Sequence, residues 1–425
     1  MAFDVNGREK MNPILPREHF VPDGEARVMP DGRLYLYGSY DISGAKEYGS
    51  QMLHVFSTDD MVHWTDHGVA FRSSDIPWLK AICKLYAPDC IHRDGKYYLY
   101  FCMESGEEGV AVAETPWGPF KDPQPLGSAN GDGIDPSIFI DDDGQAYYFW
   151  GQFSLKGAKM NPDMRTLDES SIRTGIIDEK RHGFHEGACV RRRGDLYYLV
   201  YTDINRGRAT CMGYSVSRSP LGPYEYKGII IDNTGCDPET WNNHGSIGEY
   251  QGQWYVFYHR SSQNGRWSRR MCVEPIEFAE DGSIKEVLPT TQGCEAPLDI
   301  SLPIDAARAC RLGGWEVRSY LMPDPEHPGD EILTHAHGNG WAMYRYVNFD
   351  RPMQSVELLL RSNGYGVVEV WADHEKIARV EVEPTKESWQ RFRGPVRTIT
   401  GVHTLYLEWK MEADVSADFK KIYFS

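Results

Sequence analysis

Hydrophobic positions along this chain come in short, aromatic-rich runs, each preceded by a polar turn. One such unit recurs five times. Asp31-Gly32 precedes Leu34-Tyr35-Leu36-Tyr37, Asp94-Gly95 precedes Tyr97-Tyr98-Leu99-Tyr100, and Asp143-Gly144 precedes Ala146-Tyr147-Tyr148-Phe149. Arg193-Gly194 precedes Leu196-Tyr197-Tyr198-Leu199, and Gln251-Gly252 precedes Trp254-Tyr255-Val256-Phe257. Asp-Gly is a hairpin-turn dipeptide, and the aromatic runs have strand propensity. The turn glycines are 63, 49, 50 and 58 residues apart. All-β units at a period of about 50 residues predict propeller blades. Five copies predict an all-β fold with a five-bladed β-propeller over roughly residues 12–295, in a first domain spanning 1–300.

The repeat stops there. Residues 296–310 are apolar and proline-bearing, unlike a Gly/Ser-rich flexible linker, and predict a connector that docks the tail module on the propeller. Beyond it, strands are predicted at 343–347, 355–360, 367–371, 377–382 and 404–409. Short strands in so small a unit predict a β-sandwich of jelly-roll type over 311–425. Trp371 and Trp409 on those strands need cover, either from the module's own core or from the propeller.

The chain has 425 residues, enough for two or three domains and a full core without disulfide staples. Its 45 basic and 62 acidic residues leave a net charge of −17. That argues against nucleic acid or an anionic membrane surface as partner, since both attract basic faces. No apolar run reaches the length of a membrane span. The first eleven residues are polar and lack a signal-peptide core. Nine cysteines, without metal-binding spacing, read as reduced thiols. Both features favour the cytoplasm, with secretion the alternative if a leader was trimmed.

Each blade also offers one polar residue ahead of its turn: Asp23, Asp89, Asp135, Glu186 and His244. They stand nine, six, nine, eight and eight residues before the turn glycine. The innermost strands of a propeller line its channel, so residues in register there can converge at one mouth. Carboxylates gathered in a cleft resist joint ionisation, leaving one protonated as an acid and another ionised as a base. Glycoside hydrolysis requires that arrangement, and the separation of the pair decides inversion or retention. His244 among carboxylates can ligate a cation or the water shell around one.

These residues stand in recognisable motifs. Asn12-Pro13-Ile14 with Asp23, Tyr86-Ala87-Pro88-Asp89, the 133–139 stretch around Asp135, His185-Glu186-Gly187-Ala188 and Asn243-His244-Gly245-Ser246 resemble glycoside hydrolase family 43. Tyr37-Gly38-Ser39-Tyr40-Asp41 and residues 55–64 follow the same family pattern. The resemblance implies an inverting mechanism with Asp23 as general base, Glu186 as general acid, and Asp135 tuning and orienting Glu186. It also implies an axial calcium or water cluster near His244. Two positions depart from the pattern, Gly24 and Ala188, where the family usually has proline. Gly24 is expected to loosen the backbone at Asp23, with Glu25 as fallback base, although strand alternation turns Glu25 away.

Substrate contacts are expected from Tyr40, Asp89, Arg269 and the aromatic platforms Trp78, Trp150 and Trp241. In the tail, Gly340-Trp341-Ala342-Met343-Tyr344 and residues 401–407 resemble carbohydrate-binding module family 6, with Trp389 matching a stacking aromatic. Together the resemblances imply an α-L-arabinofuranosidase or β-xylosidase acting on arabinoxylan-type plant cell-wall polysaccharide or its oligosaccharides. An endo-arabinanase and a non-catalytic sugar-binding propeller stay open as alternatives. The intact Asp23, Asp135 and Glu186 argue against the second.

Overall fold

The structure, a computed structural model, describes residues 11–127, 133–314, 320–324 and 331–425. The polar residues 1–10, on which the expectation about a leader rests, lie outside that part.

Five antiparallel sheets succeed one another along the chain. Blade I contains Glu25–Val28, Leu34–Tyr37, Met52–Thr58 and Thr65–Arg72, paired in that order. Blade II contains Leu85–Arg93, Lys96–Met103, Glu108–Ala113 and Lys121–Pro125. Ser137–Ile140, Ala146–Trp150, Ser154–Lys159 and Arg173–Asp178 form blade III. Blade IV is Phe184–Arg193, Leu196–Asp203, Cys211–Ser217 and Glu225–Asp232. Blade V has three strands, Ser246–Tyr250, Gln253–Ser262 and Gly265–Ile276. The first strand of each blade packs against that of the next, and blade V's against blade I's, so the ring closes.

The five turn glycines all lie in the hairpin between the first and second strands. Their φ angles run from 59° at Gly194 to 83° at Gly144. A Cβ at any of them would meet nothing within 4 Å. Backbone conformation, and not space, therefore calls for glycine there. The aromatic runs after these turns fill the spaces between blades. Tyr35 and Tyr37 share a core with Leu99 and Phe101, and Tyr100 with Tyr148. Most of the chain's aromatic surplus is thus core.

Asn12 closes the ring from the amino-terminal side. Its side-chain amide donates to the carbonyls of Val273 and Thr290, and its Oδ1 accepts from the Val273 N–H at 2.9 Å. The Ile14 N–H bonds the Met271 carbonyl at 3.0 Å. The start of the described chain is thereby seated on the outer strand of blade V.

The carboxy-terminal region is a β-sandwich of two six-stranded sheets. All five predicted strands are present, within Asn339–Phe349, Ser355–Ser362, Gly366–Ala372, Glu375–Val382 and Gly401–Met411. Trp409 is fully buried in this core, whereas Trp371 stays half-buried on the opposite face of its sheet. The segment expected as a connector is built into the sandwich. Leu298 pairs with Val347 and Ile304 with Ile422. None of the nine cysteines is joined in a disulfide, and seven are buried.

The sandwich meets blade V through buried guanidinium groups. Arg270 pairs with Glu331 at 2.5 Å, both about 5% exposed. Arg345 donates to the Pro289 carbonyl, and Arg260 to the carbonyls of Ala309 and Cys236. Removing one partner of a buried ion pair leaves an uncompensated charge, a change worth about 3–5 kcal/mol where the site stays dry. Deleting residues 311–425 takes away Glu331 and Arg345 and uncovers apolar surface. We expect the shortened protein to melt several degrees lower or to aggregate, as measured by scanning calorimetry and soluble yield. An unchanged melting temperature for residues 1–310 contradicts a docked module.

Candidate active site

Four of the five polar residues ahead of the turns converge on one cavity of about 280 Å³ at the channel mouth: Asp23, Asp135, Glu186 and His244. The backbone explains how. Asp23 and Asp135 each sit two residues ahead of a first strand with left-handed φ angles of 58° and 56°. Aspartate is among the few side chains that tolerate this region, and the turn breaks the strand's alternation so that the carboxylate projects into the mouth. Glu186 lies where the blade IV ladder slips register, and Gly187 comes next with φ 70°. A Cβ on Gly187 would stand 2.6 Å from the His244 ring. Only glycine lets that imidazole pass over the blade.

Asp23 is the most heavily tied group. Arg269 Nη1 reaches its Oδ1 at 2.9 Å, Ser39 Oγ donates to Oδ2 at 2.7 Å, and His259 and His244 approach Oδ1 at 3.3 and 3.5 Å. Arg269 is itself held by Asp41, with Nε to Oδ2 at 2.9 Å and Nη2 to Oδ1 at 3.0 Å. Burial alone would raise the Asp23 pKa. The Arg269 charge, the His259 bond and the charges of both histidines override it and hold the carboxyl well below its usual range. Asp135 is its counterpart. Burial first, then the charges of Glu186 and Asp23, push its carboxyl well above the ordinary range. One cavity therefore holds two carboxyls whose proton affinities are pushed in opposite directions, Asp23 down and Asp135 up, a separation that acid–base chemistry uses. Glu186 is 7% exposed. It accepts from Gln152 Nε2 at 2.8 Å and from Asn242 Nδ2 at 3.3 Å.

The Arg269–Asp23 pair makes a pH prediction. Without the guanidinium, burial and the neighbouring carboxylates raise the Asp23 pKa. A base must be ionised to act, so activity should then fail at a higher pH on the acid side. In Arg269→Gln the acid limb of the kcat/KM profile should move up by about 1–3 pH units, while Arg269→Lys moves it less. An acid limb that stays in place separates Asp23 from the essential base.

Several expected site residues lie elsewhere. Asp89 is fully buried and bonded to Arg27 at 2.6 and 3.0 Å, and it accepts the Ile138 N–H at 2.8 Å. It stands six residues before its glycine and not nine, so it sits deeper in the channel. At nine stands Tyr86, which does line the cavity. Trp150 is 1% exposed in the core between blades II and III, and Trp78 packs against the core of blades I and II. Tyr40 stacks on His54 outside the cavity, with ring centroids 4.2 Å apart. Trp241 is the one expected tryptophan that lines the site, flanked by Arg208 and Arg266. Arg269 also lines it, but its guanidinium is committed to Asp23 and Asp41 and positions the base.

A Cβ on Gly24 would come within 2.2 Å of Met271 Cε and 2.9 Å of Leu36 Cδ1, so a larger residue there would have to displace the ends of those two side chains. Glu25 points away as alternation predicts. It pairs with Arg191 at 2.6 Å, and with Arg27 and Asp89 it forms a charge-balanced plug below the site. Tyr48, Gln152 and Asn242 line the cavity and were not singled out from sequence. Gln152 and Asn242 closely follow Trp150 and Trp241, but nothing in their local pattern marks them. In the tail, Arg361 and Lys420 lie over the Trp389 ring at 4.8 and 5.5 Å, so that platform is already covered.

The chain is similar to known proteins in sequence and fold. The family model for glycosyl hydrolases family 43 matches residues 11–284. A xylosidase/arabinosidase of Thermoclostridium stercorarium is 29% identical over 96% of this chain and 98% of its own. A solved β-xylosidase/α-arabinofuranosidase from a compost microbial metagenome, with xylotriose bound and in a calcium-free form, is 30% identical at a TM-score of 0.58. It covers 66% of this chain and 98% of its own. The fold of the whole chain matches an arabinoxylan arabinofuranohydrolase of Bacillus subtilis, at a TM-score of 0.57, 24% identity and 97% coverage of both chains.

Proposed function

The chain belongs to glycosyl hydrolase family 43 and is a glycosidase, and we propose that it releases terminal L-arabinofuranose or D-xylose from arabinoxylan-type chains by inversion. One observation carries this reading: Asp23, Asp135 and Glu186 share a single small cavity. At about 280 Å³ it falls just below the range usual for drug-sized ligands, a size suited to one sugar unit. A wider space of about 510 Å³ adjoins it and shares Tyr48 and Tyr86. The terminal sugar occupies the first and the rest of the chain extends into the second. The names of the relatives support the same pair of sugars.

In this mechanism Glu186 donates its proton to the departing oxygen while water attacks from the opposite face, its proton passing to Asp23. Asp23, kept ionised beside Arg269, is the group placed to accept that proton. Asp135, in the same cavity, is assigned to orient Glu186. The test is a product profile on arabinoxylan oligosaccharides, with proton NMR of the first-formed anomer. Free pentose of inverted configuration supports the reading. Internal cleavage products indicate endo action, and a retained anomer rules out inversion.

An axial calcium belongs to the same proposal. His244 Nδ1 faces Asp23 and Asp135 at 3.5 and 3.8 Å, while Glu25 and Asp89 are neutralised by Arg191 and Arg27. Among the described residues the axis thus offers the His244 imidazole, with Asp23 and Asp135 the carboxylates that face it. Calcium prefers six to eight oxygens, so these residues fit only an ion that keeps most of its water. When bound, it supplies positive charge beside the carboxylates. Chelation is expected to lower activity or the melting temperature and added calcium to restore it. Indifference to a chelator argues against the ion.

A further inference from the structure

Outside the active site, two histidines and an aspartate from separate segments meet on the flank of blade I. His19 comes from the turn that leads to Asp23. His54 lies on the third strand of the blade, at a slip in its ladder, and Asp66 on the fourth. His19 Nε2 stands 3.5 Å from Asp66 Oδ2, and His54 Nδ1 stands 3.2 Å from Asp66 Oδ1. One ligand atom from each lies within 4.8 Å of the other two. In a tetrahedral site with metal–ligand bonds of about 2.0–2.1 Å, neighbouring ligand atoms are about 3.3 Å apart. Each histidine already has one Asp66 oxygen at about that distance, a different one for each, so a modest turn of the carboxylate and approach of the rings would close the site on an ion.

The surroundings are built for ligation. The Tyr40 hydroxyl lies 3.0 Å from His19 Nδ1. If Nδ1–H donates to that oxygen, the Nε2 lone pair is left facing Asp66. This is the outer-shell hydrogen bond that fixes the tautomer of a metal-binding histidine. The Tyr40 ring stacks on His54, and Phe56 packs edge-on against His19 at 4.9 Å, so neither imidazole is free to swing away. Asp66 is oriented by the Gly68 N–H, which donates to its Oδ1 at 2.7 Å. Burial holds the His19 pKa below its usual value against the pull of Asp66, favouring the neutral form that ligates.

We propose that His19, His54 and Asp66 bind a divalent transition-metal ion, zinc by preference, which clips the segment carrying Asp23 to the outer strands of blade I. Two imidazoles and one carboxylate suit zinc better than calcium or magnesium, which favour oxygen. Asp66 is partly exposed, leaving the fourth position to water. Binding requires His54 Nδ1 to give up any proton it shares with Asp66, which passes to solvent. The ion would act on the base through the chain. Phe20 pairs with Asp41, the residue that holds Arg269, and Asp23 lies four residues beyond His19.

The experiment is titration of zinc into the full, chelator-treated chain by calorimetry, with the melting temperature followed in parallel. We expect one equivalent to bind and raise the melting temperature. Asp66→Asn and His54→Asn should lose that equivalent. Tyr40→Phe keeps the stacked ring and should weaken binding by about 10–100-fold. Cobalt(II) in place of zinc should give the strong visible bands of a four-coordinate ion, a readout that does not depend on activity. Circular dichroism without metal checks that each variant folds. The proposal is overturned if zinc does not bind the parent protein. It is equally overturned if the bound equivalent survives in Asp66→Asn and is lost in His244→Asn, which would assign the ion to the propeller axis.

Discussion

Glu186→Gln is expected to slow hydrolysis of natural oligosaccharides by roughly 10²–10⁴-fold, the usual worth of a general acid. A sugar hydroxyl leaves poorly as an alkoxide and needs a proton as the bond breaks. An amide cannot supply it. Aryl glycosides with acidic phenols leave without that help, so their hydrolysis should be partly spared. The substitution is mild for the fold. Glu186 accepts one bond from Gln152 and one from Asn242, both amides that can rotate to present oxygen to the new NH₂ group. Comparing the two substrate types makes the result diagnostic: a uniform loss indicates general damage, and near-parental turnover of oligosaccharide removes Glu186 from the role of acid.

Asp23→Asn should be as severe and should not depend on the leaving group. The lost step is activation of water, which every substrate shares. Activated aryl glycosides therefore separate the two variants: partly spared in one, inert in the other. Azide should not generate a product of retained configuration, since an inverting site has no covalent intermediate to intercept. This substitution is harder on the structure. Arg269 is 2% exposed and loses one of its two carboxylate partners, keeping only Asp41. A lower melting temperature is expected alongside the lost activity, with the fold checked by circular dichroism. Full activity on any substrate would exclude Asp23 as the base.

Local pattern suffices at some positions and fails at others. The hairpin glycines are legible because φ above zero is a property of the residue itself. The expectation for Asp89 fails although its spacing carries the information: six residues from the glycine sets it below the mouth, and Tyr86 at nine lies in it. Trp150 and Trp241 are chemically identical. The first ends the strand Ala146–Trp150 and is packed between blades, while the second lies in a loop and reaches the cavity. In the sandwich, Glu331–His337, Gln390–Pro395 and Ser416–Phe424 were not predicted as strands. Their sequences mix charge with apolar residues, and it is pairing inside a sheet that makes them strands.

The number of blades, the turn at each, and the polar residue ahead of each turn are determined by the sequence alone, because each depends on a few neighbouring residues. So is the family, whose motifs are short and local. Which of those residues share a cavity was decided only by closing the ring. Arg269 holds Asp41 across 228 residues and Asp23 across 246, and His259 reaches Asp23 across 236. No local signal specifies such a pairing. It arises because five similar sheets, packed by aromatic side chains, bring their first strands around one axis. Burial there removes the water that would otherwise screen these charges, and so pushes the proton affinities of two neighbouring carboxyls in opposite directions.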